Sequence, residues 1–193
     1  MTITYRVGNG LYINMTNRCT NECSFCIRKL CDAVGDTDSL WLEQEPGREE
    51  ILNDIKSHDL TKYSEIVFCG FGEPTERLDD LLWLCKEIKQ ITNLPIRVNT
   101  NGHASLIAGY DTTPLFEGLV DRMNVSLNAA SADEYNDLCK SRFGIEAYQG
   151  MLEFAYNIKK YVPDVVLSIV SGTTDTESCR KIADEAGLPL RIR

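Results

Sequence analysis

Three cysteines close to the start of the sequence have a spacing typical of metal-binding loops. Cys19, Cys23 and Cys26 are separated by three and by two residues, in the pattern C-x3-C-x2-C. Such thiolates can converge on one metal centre, because soft sulfur ligands select iron–sulfur clusters, zinc or copper. Cubane iron–sulfur clusters usually take four cysteine ligands. A set of three would leave one iron with an open coordination position, which catalysis requires and a structural site does not.

Three alternatives remain open for the same cysteines. Cys31 could be the fourth ligand of a structural zinc site, although zinc knuckles normally consist of two close pairs. Cys23 and Cys26 could form a thioredoxin-like redox pair, which leaves Cys19 unexplained. Spacings of four and three also mark one face of a helix, where the three thiols would only be part of the core.

The elements that must position this loop are short strands and helices in alternation. Apolar residues recur at helical spacing in residues 78–88 and 148–162. Ser131 and Thr174 each begin a capping-box pattern with a glutamate three residues later, and Gly187 marks a helix end. Cys85 and Cys179 lie on apolar helical stripes and are predicted to be buried. The predicted strands are residues 11–15, 65–69, 96–100, 122–127, 165–170 and 189–192.

Strands that alternate with helices are joined by parallel crossovers, so we expect an α/β architecture. Several strands also alternate polar and apolar residues: Asn124 and Ser126 share one face, opposite to Met123 and Val125. This favours a curved sheet with helices outside and a polar, ligand-holding interior over an antiparallel sheet with one wet face. Six strands are fewer than the eight of a closed barrel. We therefore expect a partial, open (β/α)6 TIM-type barrel in one domain over residues 1–193.

Composition and charge limit the classes of function. The net charge of −9 argues against a nucleic-acid partner, because such binding relies on clustered Lys and Arg. The longest apolar runs fall short of the roughly 18 residues that cross a bilayer, and the first residues lack the layout of a signal peptide. We expect a cytoplasmic protein with no membrane contact. Its eight cysteines then predict thiols or ligands and not disulfides.

Four motifs in order along the chain resemble the radical S-adenosylmethionine (SAM) superfamily. Cys19, Cys23 and Cys26, with the aromatic Phe25, resemble its cluster signature. The other motifs end the second, third and fourth predicted strands: Gly70-Phe71-Gly72-Glu73-Pro74, which resembles a Gly-Gly-Glu-Pro motif, Thr100-Asn101-Gly102, and Val125-Ser126-Leu127-Asn128. Within the superfamily, the motifs are most similar to the TatD-linked radical SAM proteins, a name that supplies no substrate. Phe71 departs from the pattern, because it stands where the motif has a second glycine.

The resemblance implies a [4Fe–4S] cluster on the three cysteines, with SAM bound at the fourth iron. It implies reductive cleavage of SAM to a 5′-deoxyadenosyl radical, and a one-electron reductant such as flavodoxin or ferredoxin. It also implies that Glu73 accepts from the SAM ammonium, although Glu73 could simply cap a turn. The residues expected to contact the cofactors are Phe25, Gly70, Phe71, Gly72, Glu73, Asn99, Asn101, Ser126, Asn128 and Val170. For Asn101, a purely turn-forming role before Gly102 is the alternative.

The substrate is weakly indicated. On the strand alternation, Arg97, Arg191 and Arg193 face the interior, and Arg18 and Arg28 flank the cysteine loop. These arginines suggest a carboxylate or phosphate on the substrate unless internal acids pair with them. An activase that installs a glycyl radical on a partner protein, and a zinc-stabilised binding module without catalysis, are the alternative functions. His58 and His103 are isolated in the sequence, and we assign them no role.

Overall fold

A computed structural model describes residues 1–35 and 37–193. Its sheet has seven strands, and their spatial order is the order in which they occur along the chain. The strands are β1 (Thr4–Val7), β2 (Gly10–Ile13), β3 (Glu65–Phe68), β4 (Ile96–Thr100), β5 (Arg122–Ser126), β6 (Asp164–Ile169) and β7 (Leu190–Ile192). The helices are α1 (Arg48–Ser57), α2 (Leu78–Ile91), α3 (Ala104–Ala108), α4 (Ala132–Cys139), α5 (Glu146–Ile158) and α6 (Thr176–Ala186).

Strands β2 to β7 pair in parallel, each with the next, as the alternation of strands and helices predicts. The expected open α/β barrel is therefore confirmed, with one addition. Strand β1 pairs with β2 in the antiparallel sense, with Val7 opposite Gly10. The sequence interpretation missed this hairpin, although its two-residue Gly8-Asn9 loop is a recognised hairpin signal and Gly8 has the positive φ of +57° that such loops need.

The helices bury the apolar stripes that the periodicity predicts. In α2 the buried residues include Leu81, Cys85 and Ile88, and Cys179 of α6 is buried as well. Ser131 caps α4 as expected, since its side chain accepts from the Glu134 amide.

The predicted cap at Thr174 is wrong. Asp175 begins α6 and accepts from the Ser178 amide at 2.8 Å. The Thr174 hydroxyl is occupied elsewhere, because it donates to the Glu134 carboxylate at 2.9 Å.

Polar residues cross the inner face of the sheet near the amino ends of the strands. Arg97 of β4 pairs with Glu65 of β3 at 2.7 Å, and Arg122 of β5 lies 3.8 Å from the same carboxylate. Arg97 also donates to the hydroxyl of Tyr12 at 3.1 Å. The opposite ends of the strands, where ligands collect in parallel α/β folds, carry the cysteine loop.

Candidate active site at the carboxyl ends of the strands

The cysteine loop follows β2 and has no helical structure before the short 3-10 turn Ile27–Lys29. The interpretation of the three cysteines as one helix face is therefore wrong. Cys19, Cys23 and Cys26 are free thiols of intermediate exposure. Cys31 is exposed, and its sulfur lies 3.7 Å from the carbonyl oxygen of Ile27.

Helix α4 ends against this loop and supplies acceptors to it. The last carbonyls of a helix have no partner within the helix. The Glu22 amide donates to the Cys139 carbonyl at 2.9 Å, and the Ser24 amide donates to the Leu138 carbonyl at 2.8 Å. The loop backbone around Cys23 is thus held by the carboxyl end of α4.

Two cations hold carbonyl groups of the same loop. The Arg28 guanidinium donates to the carbonyls of Asn17 at 3.2 Å and Asn21 at 3.3 Å. The Lys29 ammonium donates to the carbonyls of Glu22 at 3.0 Å and Cys23 at 2.7 Å. Both charges lie where they favour thiolates over thiols.

Burial works against ionisation of Cys19 and Cys23. It raises the pKa of Cys19 to about 12, and the nearby Glu73 carboxylate adds to the effect. The pKa of Cys23 is raised chiefly by a hydrogen bond with the Cys139 thiol, followed by burial. Because metals bind thiolates, metal uptake at this loop must release protons.

Gly70 and Gly72 stand where the β3 loop touches the cysteine loop. A Cβ on Gly70 would overlap the amide oxygen of Asn14, and a Cβ on Gly72 would overlap the carbonyl oxygens of Thr16 and Arg18. Close approach is thus required, as the motif predicts: Gly70 lies against the Asn14 side chain, and Gly72 lies against the backbone that leads into Cys19.

The Phe71 side chain turns away from this contact into a small apolar cluster. It is 5% exposed and packs with Tyr5 and Leu40. Its ring also makes an edge contact with Trp41 at a centroid distance of 5.0 Å. Phe25 packs instead against the main core.

Glu73 joins the ends of β3 and β4. Its carboxylate is 4% exposed, and its Oε1 accepts from the Thr75 amide at 3.1 Å and the Thr100 hydroxyl at 2.7 Å. Its Oε2 accepts from the backbone amide of Asn101 at 2.7 Å. Burial raises the pKa of Glu73, although the hydrogen bonds from these donors act to lower it. Glu73 does cap the 3-10 turn Pro74–Arg77, and Oε2 retains acceptor capacity for one further donor.

The two asparagines of the β4 motif have different partners. Asn99 accepts from Arg97 at 2.9 Å and from Asn124 at 3.0 Å. Asn101 forms the turn that was its alternative role, because its Oδ1 accepts from the His103 amide at 3.1 Å. Its Nδ2 also reaches the cysteine loop, 3.8 Å from the Cys19 sulfur.

The predicted residues at the ends of β5 and β6 have separate partners, and Asn128 Nδ2 lies 3.7 Å from the sulfur of Cys139, the last residue of α4. Asn128 has a left-handed backbone with φ of +60° and is 3% exposed. Within the described residues its Oδ1 has no hydrogen-bond partner. Ser126 accepts from Arg193 at 3.2 Å. The Val170 carbonyl accepts from the Thr173 hydroxyl at 2.8 Å.

Three further residues under the loop were missed from the sequence. His103, Tyr135 and Cys139 are fully buried. His103 forms a hydrogen bond with Thr20, the residue that follows Cys19 in the sequence. Its position after the Thr-Asn-Gly turn was the available signal for His103. Tyr135 and Cys139 of α4 carry no local signal, because only the fold brings them to the loop.

The donor set fits a sulfur-ligated cluster. Within residues 1–35 and 37–193, no three His, Cys, Asp or Glu side chains are placed to bind a single metal ion. Three free thiols, with Arg28 and Lys29 beside them, suit an anionic iron–sulfur centre. The unpartnered Oδ1 of Asn128 is an acceptor that a bound ligand could satisfy.

This chain is similar in sequence to a curated enzyme. GTP 3′,8-cyclase from Lactiplantibacillus plantarum is 25% identical over 174 residues, which cover 89% of this chain and 49% of the relative. The chain thus spans about half the length of that curated relative.

Solved structures with the same fold include TYW1 with a lysine-pyruvate adduct bound, at a TM-score of 0.64 and 16% identity over 96% of this chain and 65% of that one. A radical SAM methyltransferase from Sphaerobacter thermophilus has a TM-score of 0.63 and 14% identity over 98% of this chain and 68% of that one. The structure of anSMEcpe with bound AdoMet has a TM-score of 0.61 and 16% identity over 94% of this chain and 50% of that one.

Residues 13–186 match the sequence model of the Radical SAM superfamily. Members of this superfamily are enzymes that use a [4Fe–4S] cluster and SAM. The resemblance to the TatD-linked group stays a prediction. The chain belongs to the radical SAM superfamily.

Proposed function

We propose that residues 1–193 form the radical SAM domain of an enzyme in which Cys19, Cys23 and Cys26 hold three irons of a [4Fe–4S] cluster. One observation carries the proposal: three free thiols lie on one loop that α4 and the ends of β3 and β4 hold at the carboxyl edge of the sheet. When bound, the reduced cluster and SAM supply a 5′-deoxyadenosyl radical that abstracts hydrogen from a substrate.

The chain's own residues bind and orient the cofactor in this proposal. Glu73 Oε2 accepts from the SAM ammonium with its remaining acceptor capacity, next to the Asn101 amide. Asn128 Oδ1 and Ser126 accept from ribose hydroxyls, which would satisfy the buried Asn128 oxygen. Asn99, Phe25 and the backbone at Gly70, Phe71, Gly72 and Val170 complete the predicted contacts.

The proposed anionic substrate now depends on fewer arginines. Arg97 has Glu65 as its internal partner at 2.7 Å, and Arg18 pairs with Glu45 at 2.8 Å. Arg191 and Arg193, which form no ion pair within the described residues, remain candidates to bind a carboxylate or phosphate.

An external one-electron donor such as flavodoxin or ferredoxin would reduce the cluster in the cytoplasm. None of the helices in the described part of the chain is long and apolar enough to cross a membrane.

Anaerobic reconstitution followed by reduction with SAM tests the proposal. We expect about four irons and four sulfides per chain, and 5′-deoxyadenosine in the product mixture. Cys23→Ala should lose both, because a methyl group cannot ligate iron. Cys31→Ala is the matched control and should keep both, since Cys31 is exposed and outside the ligand set. Iron-free wild-type protein, or loss of the cluster in Cys31→Ala, would contradict the assignment.

A further inference from the structure

A chain of hydrogen bonds runs from a buried histidine to the first cluster cysteine. His103 Nδ1 lies 2.9 Å from the Thr20 hydroxyl, and Asn101 Nδ2 donates to that hydroxyl at 2.6 Å. The same Nδ2 lies 3.8 Å from the Cys19 sulfur. His103 is 0% exposed, Thr20 is 2% exposed and Asn101 is 7% exposed, so water has little access to these bonds.

The direction of each bond follows from which atoms can donate. The nitrogen of a side-chain amide only donates, so the Thr20 oxygen accepts from Asn101. A carbonyl oxygen only accepts, so the proton of a neutral His103 sits on Nε2, which lies 3.2 Å from the Ala147 carbonyl and also 3.2 Å from the Tyr135 hydroxyl. Nδ1 then carries no proton and accepts from the Thr20 hydroxyl.

His103 is neutral at physiological pH, which keeps this direction constant. Its pKa is lowered to about 4, chiefly by burial; the hydrogen bond to the Ala147 carbonyl acts in the opposite direction, and the nearby Arg142 charge adds to the lowering. The groups that face the ring are Thr20, Tyr135, Ala147 and Phe143. Each is uncharged, so no contact ion pair favours the imidazolium form.

The orientation of Asn101 is fixed by the same chain. Its Oδ1 accepts from the His103 amide at 3.1 Å, and one proton of its Nδ2 goes to Thr20. The second proton is directed to the side of the Cys19 sulfur. The Asn21 amide is the other donor to this sulfur, at 3.4 Å, and it does not depend on His103.

We propose that the side-chain amide of Asn101 donates a hydrogen bond to the Cys19 ligand. His103 is the positioning residue that holds this side-chain amide in place through the Thr20 hydroxyl. The presence of a cluster on Cys19 rests on the proposed function, whereas the hydrogen bonds are those of the structure itself. Hydrogen bonds to cluster sulfurs raise the reduction potential, because they stabilise the more negative reduced state. Asn101 then sets part of the potential at which the cluster accepts its electron.

The apoprotein tests the direction of the bonds without any cluster. The chain has two histidines, so a nitrogen-15 spectrum of histidine-labelled protein contains two rings, and His58→Gln assigns them. We expect His103 to be the neutral Nε2–H form between pH 6 and 8. A Nδ1–H form would overturn the proposal, because Nδ1 could not accept from Thr20.

The reconstituted protein tests the effect on the cluster by a potentiometric titration followed by electron paramagnetic resonance. Thr20→Val removes the hydroxyl at nearly constant volume and should lower the reduction potential. Thr20→Ser keeps the hydroxyl and should restore the wild-type value. His103→Phe should shift the potential in the same direction as Thr20→Val, by a smaller amount, because Thr20 can still accept from Asn101.

Iron content separates the two levels of the argument. Equal reduction potentials in Thr20→Val and Thr20→Ser would overturn the positioning role of the hydrogen-bond chain. If Thr20→Val takes up no iron, His103→Phe replaces it in the test, and a reduction potential equal to that of the wild type would overturn the same role. Wild-type protein that takes up no iron would overturn the proposed function instead, and the His103 tautomer then decides whether the hydrogen-bond chain exists.

Discussion

The backbone amide of Asn101 donates to Glu73 Oε2 at 2.7 Å, and this bond ties the end of β4 to the loop that follows β3. The same loop contacts the cysteine loop, because the Glu73 amide donates to the Arg18 carbonyl at 2.7 Å. Three motifs that lie far apart in the sequence therefore share one hydrogen-bonded junction, and a change in any of them should affect the others.

Glu73→Gln should lower the free energy of unfolding by about 1–3 kcal/mol, the usual effect of an unsatisfied buried polar group. Glutamine has one acceptor oxygen where the carboxylate has two, so either Thr100 or Asn101 loses its acceptor. Urea denaturation measures the change. Glu185→Gln, at an exposed position of α6, is the control and should change stability by less than about 0.5 kcal/mol. Equal stabilities of the two variants would contradict the structural role of Glu73.

Gly72→Ala should weaken both folding and iron retention. Its Cβ would overlap the carbonyl oxygens of Thr16 and Arg18, and backbone groups cannot move aside as a flexible side chain does. We expect a loss of about 1–3 kcal/mol in unfolding free energy, as for other overpacked sites, with less iron per chain after reconstitution.

Gly47→Ala provides the matched control for this variant. A Cβ there meets nothing within 4 Å, and its φ is −65°. Loss of the Gly47 cap should cost less than about 1 kcal/mol and leave iron content unchanged. Unaltered iron content in Gly72→Ala would show that the cysteine loop tolerates displacement at this contact.

Arg97→Ala should destabilise the fold by about 3 kcal/mol, because it leaves the Glu65 carboxylate without its closest cation in a largely buried place. The paired side chains are only 10% and 19% exposed. Thermal or urea unfolding of Arg97→Ala, Glu65→Gln and the double variant gives the coupling energy.

The Arg18–Glu45 pair is the comparison for that cycle. Its side chains are 54% and 36% exposed, and we expect a coupling of less than about 1 kcal/mol. A coupling between Arg97 and Glu65 as small as this one would show that Arg97 is held by other contacts.

His103 should make the protein less stable in mild acid. Burial lowers its pKa from 6.5 to about 4. Between these values the unfolded chain binds a proton that the folded chain does not. The free energy of unfolding is therefore unaffected by His103 above pH 6.5 and decreases as the pH falls from 6.5 towards 4. The shift corresponds to a loss of about 3 kcal/mol.

His103→Phe tests this linkage, because phenylalanine does not titrate. Urea denaturation of both proteins between pH 4 and 7, at the same cluster loading, measures the difference. Wild-type stability should fall more steeply than that of the variant. Parallel curves would mean that His103 does not keep its low pKa in solution.

Much of the fold and part of the site could be predicted from local patterns. The six parallel strands, the apolar stripe of α2 and the cap at Ser131 follow from residues close together in sequence. The spacing of Cys19, Cys23 and Cys26 likewise predicts a metal-binding loop, because ligands on one short segment need no tertiary contact to be recognised.

The cap at Thr174 was predicted wrongly because a tertiary contact occupies its hydroxyl, whereas strand β1 was missed although its Gly8-Asn9 loop is a local hairpin signal. Thr174 satisfies the capping pattern as well as Asp175 does, but Glu134 of another helix takes its hydroxyl. Strand β1 is an edge strand, and its place depends on pairing with β2.

The partners of the buried polar groups lie beyond any sequence pattern. Arg97 and Glu65 are 32 residues apart, and Thr20 and His103 are 83 residues apart. Periodicity predicts which face of an element is polar, since it depends on residues two to four positions apart. It carries no information on which polar group from another element meets that face. The cysteine loop was therefore recognisable from its spacing, whereas the hydrogen bonds that hold this loop were decided by the packing of β4, α4 and the loop.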